Sequence, residues 1–167
     1  MALAHPKMAL RPFLAADAPV LAAIFRASIE ELTADDYSEA QQAAWASAAD
    51  DEDAFAARLA ERLTLVATLG GSVVGFACLE GTEHIDMLYV HPAAAGRGAG
   101  KMLYDALEKL AASRGANCLT VEASDSSVDF FQSRGFVAQR RNTVLRGDEW
   151  LANTTMDKKL AAKGGVS

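Results

Sequence analysis

The chain is predicted to be an α/β domain around one mixed, mostly antiparallel sheet. Three observations carry that prediction. Apolar residues recur at helical spacing up to about residue 63, and the period changes from 3.6 to 2 at TLVATL, residues 64–69. Three short-linked strands then follow one another, which makes an antiparallel meander. A later strand–helix–strand succession requires a crossover, so that pair is predicted parallel. With 167 residues, 51% hydrophobic and 23% charged, the chain can bury the core of one domain. The expected domain is 1–167, with its core at 8–160 and a loose tail at 161–167.

Each element has a local reason. MALRPF, residues 8–13, alternates and reads as a first strand. Asp17 is a good helix N-cap, with Pro19 in the first turn. Val20, Leu21, Ile24, Phe25, Ile29 and Leu32 then share one face of a helix over about 17–32. Ser38 with Gln41 three residues on is a capping-box signature, opening a short helix through Trp45. Asp50–Asp53 can cap a third helix, whose apolar face holds Phe55, Leu59 and Leu63. Gly70-Gly71 and Gly81-Thr82 are the turns of the meander, whose third strand is EHIDMLYV. A glycine-rich loop, HPAAAGRGAG, feeds a helix over about 98–113 that Gly115 ends. NCLTVEA is the next strand, and 126–133 a short helix closed by Gly135. Strands at about 136–146 and 149–160 turn at Gly147-Asp148.

The charge balance demotes several functions. Net charge is −6, and a nucleic-acid binder carries a basic footprint. Residues 30–61 hold ten acids against Arg58 alone, a local charge of −9 that leaves the rest at +3. No apolar run reaches membrane-spanning length, and MALAHPKMALRPF has no secretory apolar region, so a cytoplasmic protein is expected. Cys78 and Cys118 sit in apolar strand contexts and read as buried free thiols of a reducing compartment. Two cysteines and three histidines (His5, His84, His91) have no metal-ligand spacing, so no metal is expected. His5 and His91 read as structural or surface residues.

The chemistry-bearing motif is Ala95-Gly96-Arg97-Gly98-Ala99-Gly100-Lys101, after a strand and opening a helix. Helix N-termini expose unsatisfied N–H groups and partial positive charge, and glycine lets backbone approach a phosphate. A P-loop would need Gly at 95 and Ser or Thr at 102, where Ala95 and Met102 stand. A dinucleotide fingerprint from Gly96 would need Gly at 101, which is Lys101.

The surviving pattern resembles the acyl-CoA loop of the GNAT superfamily of N-acyltransferases, [Gln/Arg]-x-x-Gly-x-[Gly/Ala]. Gly98 and Gly100 match its last two positions, and Ala95 departs from the first. LYVHP before the loop and SVDFFQSRGF about 30 residues after it look like further GNAT motifs, so the likeness covers roughly 8–160. The resemblance implies a seven-stranded sheet with helices on both faces. It also implies that the fourth and fifth strands splay to hold the pantetheine of acetyl-CoA. Cofactor contacts then fall on Leu88, Tyr89 and Val90, on the loop from Ala95 through Gly96, Arg97, Gly98, Ala99 and Gly100 to Lys101, and on Ser124, Phe130, Phe131 and Arg134.

The implied reaction moves an acetyl group from acetyl-CoA to a primary amine in a ternary complex. It needs a neutral amine close to the thioester, a donor for the oxyanion, and a fate for the thiolate. A backbone N–H near Val90 is the expected oxyanion donor. The family's usual thiolate acid is a Tyr where this chain has Phe131. Tyr89, Tyr37 and Ser124 are the replacements, unless the thiolate leaves unprotonated. For the base, His84 and Asp86 share a strand face unless a bulge re-aims one. Tyr37, Gln41 and Trp45 lie in the segment that covers the acceptor side of the family. That segment is the acidic one, so a cationic amine is the expected acceptor, steered by charge. Dimers are common in the family, so a homodimer is among the expected assemblies. Phe131 and Ala95 favour a second reading, an acyl-CoA-binding module with weak or lost chemistry.

Overall fold

The structure, a computed structural model, describes residues 6–161. His5 and most of the expected tail lie outside the described residues. Seven strands form one sheet in the order β1-β2-β3-β4-β5-β7-β6. In chain order these are β1 (Met8–Pro12), β2 (Leu63–Leu69), β3 (Ser72–Glu80), β4 (His84–Val90), β5 (Cys118–Ser124), β6 (Val137–Arg146) and β7 (Glu149–Lys159). The helices are α1 (Ala18–Leu32), α2 (Glu39–Ala46), α3 (Glu52–Glu61), α4 (Ala99–Ser113) and α5 (Val128–Gln132). Every strand pairing is antiparallel except β4 with β5. The sequence reading of fold class and element order is reproduced.

The turn chemistry acts where it was read. Gly70 and Gly71 sit at φ 60° and 86°, the left-handed pair that a two-residue hairpin needs between β2 and β3. Ser38 Oγ accepts from Gln41 N at 3.1 Å and Gln41 Oε1 accepts from Ser38 N at 2.9 Å, closing the capping box of α2. Asp51 caps α3 through Ala54 N at 3.0 Å.

Asp17 behaves differently from its reading as the cap of α1. It ends a short 3-10 turn, Ala15–Asp17, and its carboxylate faces backward. It takes two bonds from Arg11 at 2.7 Å each and one from Leu14 N at 2.8 Å, tying β1 to the start of α1. The guanidinium holds the Asp17 carboxyl below its ordinary value. A depressed carboxylate stabilises the fold above its unfolded pKa, and that contribution fades as pH falls through the folded value. The melting-temperature gap between wild type and Asp17→Asn should therefore be widest near neutrality and close below about pH 4. A gap that stays constant in melts from pH 7 down to pH 3 would remove the ion pair from the account.

Strand alternation sends side chains into two cores, one on each sheet face. Phe76, Cys78 and Met87 pack with Leu21, Phe25, Ile29, Phe55 and Leu59 under α1 and α3. Ala77, Leu79 and Ile85 pack with Leu103, Tyr104, Leu107 and Leu119 under α4. Cys78 is buried and Cys118 only half-buried, beside Glu83.

Two irregularities in β4 create the site. Cys78 pairs with Met87 but Leu79 pairs with Ile85, so Asp86 is an extra residue, a bulge. The bulge leaves Asp86 and Met87 both facing the α1–α3 side. The second irregularity is the parallel pairing itself, which stops after His84↔Thr120 and Ile85↔Val121. Beyond that rung β5 continues to pair with β7 through Ser124. β4 and β5 therefore splay, as the resemblance implied, and Met87 to Val90 face a gap.

Candidate active site

Two cavities open on this gap. The larger, of about 490 Å³, runs between the open edge of β4, the glycine loop and α5. The smaller, of about 330 Å³, lies between α1, α2, α3 and the β6–β7 hairpin. Trp45, Ile85, Asp86, Tyr89, Glu122 and Ser124 line both, so the cavities meet at the apex of the splay.

The larger cavity gathers most of the predicted cofactor residues. Leu88, Tyr89 and Val90 form its β4 wall, and Ser124, Phe130, Phe131 and Arg134 its far wall. Ala95, Gly96, Gly98, Ala99, Gly100 and Lys101 form its end, whereas Arg97 is exposed and is not part of the lining. Gly98 caps α4 at φ 90°, which an L side chain resists. The first intrahelical bond runs from Met102 N to Gly98 O at 3.0 Å, so the N–H groups of Ala99, Gly100 and Lys101 precede any helical acceptor. A Cβ on Gly100 would stand 3.4 Å from the Phe130 ring. Arg134 lies over that ring at 4.1 Å from its centroid. The result is an anion-binding end with close backbone approach and one adjacent guanidinium. Lys101 is partly neutralised by Asp105 at 2.7 Å.

Phe131 is 4% exposed and packs with Tyr104, Phe130 and Phe136. Its ring closes the cavity wall and offers no proton.

The smaller cavity redistributes the acceptor-side candidates. Tyr37 and Trp45 line it, and Gln41 does not. Gln41 is consumed by the capping box and by the carbonyl of Trp150, which its Nε2 reaches at 2.8 Å. It staples α2 to the β6–β7 hairpin, and that correction follows from its own motif. Tyr37 is also tied down, donating to Ala152 O at 2.6 Å and accepting from Asp125 N at 2.9 Å. Trp45 Nε1 donates to the Tyr89 hydroxyl at 3.2 Å, leaving the phenol proton free. Burial pushes Tyr89 up to about 12.

His84 and Asp86 both line this cavity, but they are held differently. His84 Nδ1 lies 2.8 Å from Thr120 Oγ1. Asp86 accepts two bonds from Arg58 at 2.9 Å and one from Arg62 at 3.3 Å. Burial alone raises its pKa, yet the two guanidiniums offset that and hold it below the usual carboxylate range. A carboxylate so engaged is a poor proton acceptor. Its reading as the base gives way to a structural one, an anchor of α3 on β4. Glu80, His84 and Asp86 come within 4.8 Å of one another. Arg62 also bonds Glu80 at 2.9 Å, so cation charge is already supplied there.

The acidic block does not reach the cavities. All ten of its acids are exposed, and none lines either cavity. Its one base, Arg58, does. The expected acidic lining of the acceptor side is therefore replaced by solvated helix faces.

Sequence reading missed Glu122, Arg58, Arg146 and Asn153, all on the smaller cavity. Glu122 had a signal: Thr120, Glu122 and Ser124 share one strand face, and an acid there is as odd as Asp86. Its Oε2 accepts from Thr155 Oγ1 at 2.6 Å and Asn142 Nδ2 at 3.1 Å.

Comparison with known proteins decides the family. Residues 33–160 match the acetyltransferase (GNAT) domain. The chain belongs to the GNAT acetyltransferase family. This GNAT protein is 32% identical over 151 residues to the uncharacterized N-acetyltransferase YafP of Escherichia coli K12, covering 90% of this chain and 95% of that one. A crystal structure from Rhodopseudomonas palustris, described as a GCN5-related N-acetyltransferase and as a class-II aminotransferase, is 65% identical with a TM-score of 0.90. It covers 96% of this GNAT chain and 99% of its own. The PaiA N-acetyltransferase of Thermoplasma acidophilum, solved in complex with coenzyme A, shares the fold at a TM-score of 0.77 and 20% identity. There the cover is 92% of this chain and 99% of that one. No helix among the described residues is long and apolar enough to cross a membrane.

Proposed function

We propose that this protein transfers the acetyl group of acetyl-CoA to a primary amine by direct attack in a ternary complex. The observation that carries the proposal is the meeting of two cavities, one ending at the glycine-capped start of α4 and one lined by Glu122 and His84, at the splay of β4 and β5. A donor in the first and an acceptor in the second meet at that apex, where proximity supplies much of the rate. The larger cavity suits a long molecule with phosphates at one end, and the PaiA complex holds coenzyme A in the same fold. Free Cys78 and Cys118 suit a reducing cytoplasm.

The roles follow from the contacts. Glu122 attracts the ammonium, with one carboxylate oxygen held by Thr155 and Asn142. With Nδ1 2.8 Å from Thr120 Oγ1, His84 takes a proton from the ammonium through water at Nε2 when Nδ1 carries the ring proton. The amine nitrogen then bonds the thioester carbon and a β4 N–H near Val90 receives the oxyanion; the carbon–sulfur bond breaks as the nitrogen gives up its second proton to solvent, leaving a neutral amide. Tyr89 is too weak an acid for the last step. With Tyr89 at about 12 and a thiol near 8.5, proton transfer to the thiolate would cost on the order of 5 kcal/mol. Tyr89 instead donates a hydrogen bond, and the sulfur leaves as thiolate.

Acetyl-CoA-dependent thiol release across an amine panel tests the function. His84→Gln should lower kcat about 100-fold with KM for acetyl-CoA nearly kept. Glu122→Gln should raise KM for the amine with kcat nearly kept. Turnover by no amine, with coenzyme A still raising the melting temperature, would favour the binding module that Phe131 and Ala95 suggest.

A further inference from the structure

The acceptor cavity carries cationic charge that an amine alone does not need. Two arginines line it, Arg58 and Arg146. Arg58 is committed to Asp86 through Nε and Nη2. Arg146 is not committed to any acid. Among the described residues its hydrogen bond goes to the carbonyl of its neighbour Leu145, at 3.2 Å. It is exposed at the open end of β6, where it pairs with Glu149 in register without an ion pair. The same lining carries an acid, Glu122. It is braced by Asn142 on the same strand as Arg146. Asn142 and Arg146 are four residues apart, about 13 Å along an extended strand. A long arginine side chain spans part of that distance, which leaves a gap of several bonds between the two charges. Asn153, beside them, accepts from Asn142 through Oδ1 at 3.0 Å, so its amide nitrogen remains a donor on the same lining.

We infer that the acceptor is a small amino carboxylate, with its amine at Glu122 and its carboxylate several bonds away at Arg146. The inference rests on the acetyl-transfer reading of the same site. Guanidinium–carboxylate pairing is the geometry Arg favours. The cavity, at about 330 Å³, suits a small molecule of this kind. Because Arg146 is exposed, solvent screening limits the preference it confers.

The test uses matched acceptors on the full chain: 6-aminohexanoate, hexylamine and 1,6-diaminohexane, with four- and eight-carbon sets beside them. In at least one set the amino carboxylate should exceed the plain amine in kcat/KM by about three- to tenfold. The diamine should be the poorest. Arg146→Gln should bring that ratio to within about twofold, through KM for the amino carboxylate, and 0.5 M salt should compress it in wild type. Equal rates within every set, or a preference for the diamine, would overturn the inference and leave the acetyl transfer standing. If no amine turns over, the transfer reading fails, and thermal shift with coenzyme A decides the inference. An added shift by the amino carboxylate, absent with hexylamine and lost in Arg146→Gln, supports it; the lack of such a shift overturns it.

Discussion

Asp86→Ala should cost about 2–4 kcal/mol of stability and loosen α3 from the sheet, because it strands Arg58 and removes one acid from Arg62. The Asp86 side chain is 13% exposed, and Arg62 and Arg58 are 19% and 37% exposed. Arg62 keeps Glu80, which softens its loss, whereas Arg58 has no other acid within 4 Å among the described residues. Arg58 is also the α3 wall of the acceptor cavity. The damage should therefore appear in urea unfolding and in KM for the amine, with the shape of the pH–rate profile kept. The measurement separates two roles cleanly. An Asp86→Asn variant that is fully stable but loses kcat about 100-fold with KM for the amine kept would return Asp86 to the role of proton acceptor.

Gly75→Ala should weaken acetyl-CoA binding several-fold, although Gly75 lies outside the cavity lining. Gly75 pairs with Val90 on β3. A Cβ there would stand 3.0 Å from the carbonyl oxygen of Tyr89 and 3.4 Å from Leu103 Cδ1 and Val90 Cγ2. The Leu103 contact belongs to α4, whose N-terminus is the anion-binding end, and the Tyr89 contact is backbone. The carbonyl cannot yield cheaply in a packed core, so overpacking costs about 1–3 kcal/mol. The β4 edge, which forms a wall of the cofactor cavity, must therefore give by a few tenths of an ångström. Titration calorimetry with coenzyme A checks this; unchanged affinity would mean that β4 absorbs the methyl elsewhere.

Much of the fold was legible because it rests on local rules. The capping box at Ser38 and Gln41, the Gly70-Gly71 hairpin and the glycine before α4 depend on a few neighbouring residues. The change of apolar period at Thr64 depends only on which face is buried. The same locality explains the errors. Asp17 has an N-cap's composition, but Arg11, six residues back on a different element, takes its carboxylate. Gln41 was read as acceptor-facing because its segment was, yet its capping role and the Trp150 carbonyl use up its polar atoms.

The candidate site was half legible for the same reason. The cofactor end is one contiguous loop plus a helix start, and its chemistry is backbone chemistry that glycine spacing announces. The acceptor side is assembled from α1, α2, α3, β4, β5 and the β6–β7 hairpin. No spacing links Arg58, Glu122 and Arg146, so sequence alone assigned charge to that side by counting, and counted the wrong residues.

By itself, then, the sequence determined the element order, the crossover that makes β4 and β5 parallel, the glycine-capped anion end and the absence of a proton donor at Phe131. Tertiary structure alone decided the bulge at Asp86, the capture of that carboxylate by two arginines and the exposure of the acidic block. It also decided that Glu122 and Arg146 line one cavity. The physical reason is range. Backbone conformation and burial periodicity are set within a few residues, whereas the charge a site presents depends on which distant side chains fold against it and cancel.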